Sequence, residues 1–317
     1  MNKVRTGATL LLALSLATPL FADEGQTRVG GVLEVEMDAN TIATPVAELA
    51  ISRDLGKYVA AEVLVLYEDG ITAIDTAAMN LTPEDSNWSL RAGDIYIPFG
   101  KFDSYMVSDP LTLSLGETRE AAIQYAFTAS NLSTSIYLFN GSNNVSGKSA
   151  LNNFGLQFTH ASAFMAIAFG YIDDIGDSNA MQNAINTQLG SNNTSSKVAG
   201  QSMALDLKMG AITFNTELVS AVSAFQAGQL EAAAVQPLTI SSELAYHFHI
   251  AGNESVVAIG SQSSKDANAL GIPKSRLLLG WYNALQEDVH WILQASQDTD
   301  YSSVVTTDYA IKLVAEF

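Results

Sequence analysis

Apolar and polar positions alternate with a period of two along most of this chain. In "GVLEVEMDA", Leu33, Val35 and Met37 fall on one face and Glu34, Glu36 and Asp38 on the other. In "AFMAIAFGYID", Met165, Ile167, Phe169 and Tyr171 oppose Ala166, Ala168 and Gly170. "SMALDLKM", "LTISSELAYHF", "DVHWILQAS" and the closing "DYAIKLVAEF" repeat the pattern. One large apolar face and one polar or small face is the signature of a strand with lipid on one side and a wet lumen on the other. The pattern predicts sixteen strands: 29–39, 45–53, 57–68, 71–80, 87–97, 120–129, 131–140, 152–160, 163–173, 200–209, 211–221, 237–249, 255–262, 274–283, 288–297 and 306–317. Each is near the length a tilted membrane strand needs.

The connections sort by length. Every second one is a short turn, such as "DLG" at 54–56, "AS" at 161–162 or Gly210. The others are long, including 98–119, 141–152, 174–199, 222–236 and 263–273. Asp69-Gly70 is the short exception on the long side and is a strong hairpin signal. An up-and-down barrel with both strand ends in the periplasm requires this segregation; a soluble sandwich does not. The predicted fold class is therefore all-β, a transmembrane antiparallel up-and-down β-barrel. Tyr58, Tyr67, Trp88, Tyr96, Tyr171, Trp281 and Tyr301 lie toward strand ends, as interfacial aromatic girdles do.

Composition sharpens the picture. Lys3 and Arg5 precede the apolar "ATLLLALSLA", and Ala22 offers a small residue before an acidic start, so residues 1–22 read as a signal peptide and 23–317 as the barrel. Removing 1–22 takes away two cations and no acid, moving the net charge from -18 to -20. That balance excludes nucleic acid as a partner. There is no cysteine, and no stretch of 18 consecutive apolar residues. The expected location is the bacterial outer membrane, with lipid around the belt. The final strand, ending on Phe317, would engage the barrel-assembly machinery, and a homotrimer stays open.

A sixteen-strand cylinder keeps an aqueous channel. The strands begin within about ten residues of the mature start, so no plug is expected and transport should be passive. The connection "PFGKFDSYMVSDPLTLSLGETR", 98–119, combines turn-makers, three aromatics and a semi-apolar "LTLSL", which predicts a loop folded into the lumen. Its charges, Lys101, Asp103, Asp109, Glu117 and Arg119, with Glu120 beside them, would set selectivity at a constriction. Arg91 and Lys208 are also predicted inward, among acids at Glu34, Glu36, Asp38, Glu62, Glu120 and Asp206. The four cations Arg91, Lys101, Arg119 and Lys208 either form a ladder for an anion or pair with neighbouring acids, the commoner arrangement.

The stretch "GDIYIPFGKFDSYMVSDPLTLSLGETRE", 93–120, resembles the signature segment of the LbtU-type siderophore porins, through Pro98-Phe99-Gly100, Phe102, Ser108-Asp109-Pro110-Leu111-Thr112 and Leu115-Gly116-Glu117-Thr118. The resemblance covers about 28 residues; elsewhere only features general to barrels agree. It implies an outer-membrane barrel that takes up ferric siderophore. Without it, the lining reads as that of a general, cation-preferring diffusion porin, and an adhesin or structural barrel is a third class.

Other chemistry is sparse. His247 and His249 share one face of a strand, but two histidines without a third ligand make a weak metal signal, and no metal or cofactor is expected. No G-x-S-x-G occurs, and no enzyme is expected. "SNNTSSK" reads as a polar loop tip.

Overall fold

The computed structural model describes residues 25–38, 44–143 and 151–317. The predicted signal peptide lies outside them, as do parts of the loops after the first and seventh strands. Among the described residues sixteen antiparallel strands close into one barrel. They are β1 Thr27–Asp38, β2 Thr44–Asp54, β3 Val59–Glu68, β4 Ile71–Leu81, β5 Trp88–Tyr96 and β6 Arg119–Ala129. β7 Leu132–Phe139, β8 Asn153–Ala161, β9 Met165–Ile172, β10 Gly200–Met209 and β11 Ile212–Ala221 follow. β12 Leu238–Ile250, β13 Asn253–Lys265, β14 Ser275–Gln286, β15 Val289–Thr299 and β16 Val305–Glu316 complete the wall. β1 pairs with β16 from Val32↔Glu316 to Asp38↔Ala310, and Gly31 and Phe317 exchange backbone hydrogen bonds of 2.9 and 3.0 Å. Closure leaves no sheet edge to satisfy, which is what permits a sheet in lipid.

The period-two pattern points as predicted. Leu33, Met37, Ile167, Phe169, Leu279, Leu293 and Leu313 are exposed on the outer wall. Their neighbours along the chain Glu34, Ala168, Leu278, Gln294 and Lys312 are buried inside. Such a belt is stable only against hydrocarbon, so the chain is an outer-membrane barrel. Asp69 (φ 50°) and Gly70 (φ 79°) both take the left-handed conformation that a two-residue hairpin turn demands.

Two girdle assignments need correction. The hydroxyl of Tyr96 donates inward to Asp75 Oδ1 at 3.0 Å. The Tyr301 hydroxyl sits 2.8 Å from Ser264 Oγ and accepts the Ala267 N–H, so it braces loops. Polar partners within reach won over the interface.

The interior is not uniformly wet. Ile95, Phe99, Leu115, Tyr137, Phe139, Ile172, Ile175, Met181, Ile185, Val219, Phe225 and Leu230 form a dry cluster within the barrel. Two short helices help build it, α1 Leu111–Gly116 and α2 Asn179–Leu189. α1 is buried at Leu111, Thr112, Leu113 and Leu115, so it can be apolar on every side. α2 buries Met181, Ala184 and Ile185, spaced i, i+3, i+4, and ends at Gly190 in the left-handed conformation. The 174–199 connection is therefore a second inward segment, packed by α2 against α1. The polar loop tip expected at "SNNTSSK" is tied down in part: Thr194 is buried, and the Ser195 hydroxyl donates to Gln226 at 3.0 Å and accepts from Gln229 at 2.8 Å.

Candidate functional site: the lumen constriction

The chain leaves β5 at Tyr96 and crosses the lumen before returning at Arg119. The predicted inward loop, 98–119, is present. What holds it is a set of polar side chains contributed by β8 and by the consecutive strands β11 to β15. Gln157 on β8 donates to the Gly100 carbonyl at 3.0 Å. Glu217 on β11 accepts the N–H of Lys101 (2.6 Å) and of Phe102 (3.1 Å), and the Thr112 hydroxyl (2.9 Å). Glu243 on β12 accepts the Tyr105 N–H (3.0 Å) and the Ser104 hydroxyl (2.9 Å). Gln262 on β13 accepts the Leu111 N–H at 3.2 Å. Arg276 on β14 donates to the Asp109 carbonyl at 3.3 Å. Gln294 on β15 accepts the Ser108 N–H at 2.9 Å and donates to its hydroxyl at 2.6 Å. An irregular backbone has no partners of its own, so the wall supplies them.

Small wall residues seat the loop. A Cβ on Gly170 would lie 3.3 Å from the Phe99 ring, and one on Gly280 would lie 2.6 Å from Met106 Sδ. The alternation of large outward with small inward residues in β9 thus makes room for a crossing side chain.

The sequence-predicted residues fall into different places. Lys101 is bound to Asp206 and, at 2.5 Å, to Asp103. Burial opposes its charge, but the hydrogen bonds to those two carboxylates outweigh it and raise its pKa. Burial pushes the Asp109 carboxyl up to about 8, against the opposing charges of Lys312 and Arg276. Arg91 is paired with Glu62, which also accepts from Asn80 at 2.9 Å. Glu117 is buried; Oε1 accepts from Asn179 at 2.8 Å, while Oε2 has no hydrogen-bond partner among the described residues. Burial lifts its pKa to about 7. Glu120, also buried, accepts from Gln182 at 2.7 Å and from the Ser142 N–H at 3.1 Å. Lys208 lies apart from all of these, exposed at the short-turn end of β10. Pairing rather than a ladder therefore describes Arg91, Lys101 and Arg119.

Arg119 lies in an open cleft of about 540 Å³ lined by Asp94, Tyr96, Glu120, Asn179 and Gln182. Its guanidinium donates to Asp75 Oδ1 at 3.0 Å and lies 3.6 Å from Asp94. Asp75 is the unpaired extra residue of β4, between Ile74↔Val65 and Thr76↔Leu64. A bulge of this kind re-aims a side chain, here a carboxylate into the lumen. The cleft therefore carries one cation among several acids.

Glu217 and Glu243 escaped the sequence reading, as did Asp75. Glu217 and Glu243 do occupy inward positions at mid-strand, where a carboxylate is costly unless bound; that was the available signal. The histidine pair does not act as a pair: His247 Nε2 lies 3.0 Å from Thr213 Oγ1 and its Nδ1 lies 3.3 Å from Glu254. Among the described residues no group of three or more His, Asp or Glu could hold a metal.

Comparison with known proteins bears on the fold. No family model matches. The chain is similar to the UPF0422 protein of Coxiella burnetii, 26% identical over 239 residues, covering 71% of this chain and 51% of that protein. It is likewise 25% identical over 284 residues to a UPF0422 protein of Legionella pneumophila strain Paris, covering 80% and 54%. The chain thus spans about half the length of the curated relatives it matches. Among solved structures it resembles the outer membrane channel DcaP of Acinetobacter baumannii, with a TM-score of 0.60, 11% identity and coverage of 93% and 97%. The anion-selective porin of Comamonas acidovorans superposes with a TM-score of 0.62 at 10% identity, covering 93% and 100%. OmpT of Vibrio cholerae in its trimer form gives 0.59 at 11%, covering 93% and 100%. The fold is that of outer-membrane porins.

Proposed function

We propose that this chain is a passive porin whose selectivity is set by the inward segment 98–119 and the wall residues of the cleft it leaves open, and that its solute is a ferric siderophore or a similar chelate. The observation that carries the porin reading is the way this segment is tied to β8 and to β11 through β15. A loop held that firmly divides the lumen, sealing one side and leaving the Arg119 cleft open. Asp94, Glu120 and Asp75 around a single arginine favour a neutral or cationic solute over an anionic one. The siderophore assignment is supported by the resemblance of residues 93–120, the same residues that form the crossing and its return to the wall. A homotrimer is the assembly this reading carries, since OmpT of Vibrio cholerae is described in a trimer form. Phe317, hydrogen-bonded to Gly31 at the closing seam, is the proposed handle for barrel assembly.

The test is current block. Purified protein in planar bilayers should show concentration-dependent interruption of its current by ferric siderophore, and none by the iron-free buffer. Steady current indifferent to any chelate leaves a general cation-preferring porin. A barrel that passes no current at all is an adhesin or structural barrel.

A further inference from the structure

Near the long-loop rim, Asp174 and Asp177 are both fully buried. They belong to the 3-10 turn that follows β9 and precedes α2. Asp174 accepts hydrogen bonds from the Gly176 N–H (3.0 Å), the Val198 N–H (3.3 Å) and the Asn143 amide (3.0 Å). Asp177 accepts the Asn143 N–H at 2.6 Å and the Asn153 amide. Every one of these donors is neutral. The nearby ammonium, Lys197 Nζ, is already taken, at 2.6 Å each, by Asp173 and the Asn152 carbonyl. Asp173 and Glu120 add further negative charge to the surroundings.

A second observation is independent of the carboxylates. Asn143 and Asn153 are 3% and 1% exposed, and the Oδ1 of each is buried with no hydrogen-bond partner among the described residues. Both side chains are aimed into the cluster, because their nitrogens already touch the two aspartates. The backbone also crowds in: a Cβ on Gly141 would meet Asp177 Cγ at 2.5 Å, and one on Gly176 would meet Asp174 Oδ1 at 2.9 Å. Buried carboxylates without a cation are costly, and so are buried acceptors without a donor. Two carboxylates and two amide oxygens, with no nitrogen or sulfur ligand, are the donor set of a hard divalent ion. Each amide faces its aspartate through nitrogen, and a half-turn, which moves no backbone, brings the oxygen to the carboxylate and turns the nitrogen to the position the unpartnered oxygen holds, completing the donor set.

We propose that Asp174, Asp177, Asn143 and Asn153 form a divalent-cation site of the calcium class, which clamps the chain after β7 and the start of β8 to the segment carrying α2. The site adjoins the Arg119 cleft through Gln182, which donates to the Asp177 carbonyl and to Glu120 at 2.7 Å each, but none of its four ligands lines that cleft and it does not depend on what the barrel transports.

Calcium itself is the probe. The purified full-length barrel in detergent, stripped with chelator, is titrated with CaCl2 by calorimetry. In parallel, trypsin cleavage after Lys197 is followed with and without calcium. One ion per chain and slower cleavage when loaded are expected. Asp174→Asn with Asp177→Asn should weaken binding on the order of tenfold or more and make cleavage indifferent to calcium. Barrel folding is verified by heat-dependent gel mobility. A folded wild-type barrel that takes up no calcium at millimolar concentration overturns the proposal, and so does unchanged binding in the folded double variant. If the double variant fails to fold, the wild-type titration and its protease readout decide alone.

Discussion

Glu217 Oε1, on the inner face of β11, accepts the backbone N–H of Lys101 at 2.6 Å across 116 residues of sequence. The other oxygen takes Phe102 and Thr112. One carboxylate thus fixes both limbs of the crossing segment. Acidic lumen residues would ordinarily be counted toward cation selectivity, yet this one is consumed by the loop. Glu217→Ala should release the segment. Hydrogen bonds to a charged group contribute about 1.5–3 kcal/mol, so the loop and not the barrel should be lost. Single-channel recordings should show larger and noisier current steps, while heat-dependent gel mobility stays that of a folded barrel. Current steps like the wild type's would show that the segment does not narrow the pore.

Arg119 and Lys208 separate two meanings of an inward cation. Arg119 lies in the open cleft beside Asp75 and Asp94. Lys208 is exposed at the turn end. Reversal potentials under a salt gradient should shift toward cations in Arg119→Ala and stay put in Lys208→Ala. Equal shifts in both would place the selective region elsewhere.

The seats in the wall make a packing prediction. Gly280→Leu puts carbon where Met106 Sδ lies, since even its Cβ would stand 2.6 Å away. Overpacking of this sort costs about 1–3 kcal/mol. The loop is the softer partner and should yield, giving protease sensitivity in residues 101–109 with the barrel intact. Resistance equal to the wild type's would mean that Met106 is free to move aside.

Glu117 gives a pH dependence. Burial raises its folded pKa to about 7, against the ordinary carboxylate range. Asn179 and Arg119 oppose this rise and Asp75 adds to it. A raised folded pKa means that its contribution is fully present below the unfolded value near 4 and is lost as pH climbs through about 7. Current noise from the loop should therefore grow from about pH 4.5 to about pH 7 and level off above it. Glu117→Gln should abolish that growth. A noise level flat across this range in the wild type would contradict the assignment.

The wall was legible in the chain because a strand's period is local. Leu33 out and Glu34 in can be read from two adjacent letters, and sixteen repetitions with alternating loop lengths leave few other folds. Boundaries slipped where the reason for alternation ended. β13 was expected to stop at 262 but runs to Lys265 through Ser261-Gln262-Ser263-Ser264. Above the lipid belt both faces are polar, so hydrogen bonding continues without an apolar signal. The inward course of 98–119 was legible from its aromatics and "LTLSL". Its anchors were not, because Glu217 and Glu243 meet it only through contacts across more than a hundred residues. α2 carried a visible signal in Met181, Ala184 and Ile185, masked by the polar residues between them. Asp75 required knowledge of strand register, since a bulge has no marker in composition.

The central claim is that water, and not packed side chain, fills part of this cylinder beside a firmly tied loop. Single-channel conductance of the purified chain in a planar bilayer tests it most directly. The account predicts discrete, voltage-linear current steps in the wild type and larger ones in Glu217→Ala. A correctly folded, membrane-inserted barrel that stays silent in both proteins would contradict it.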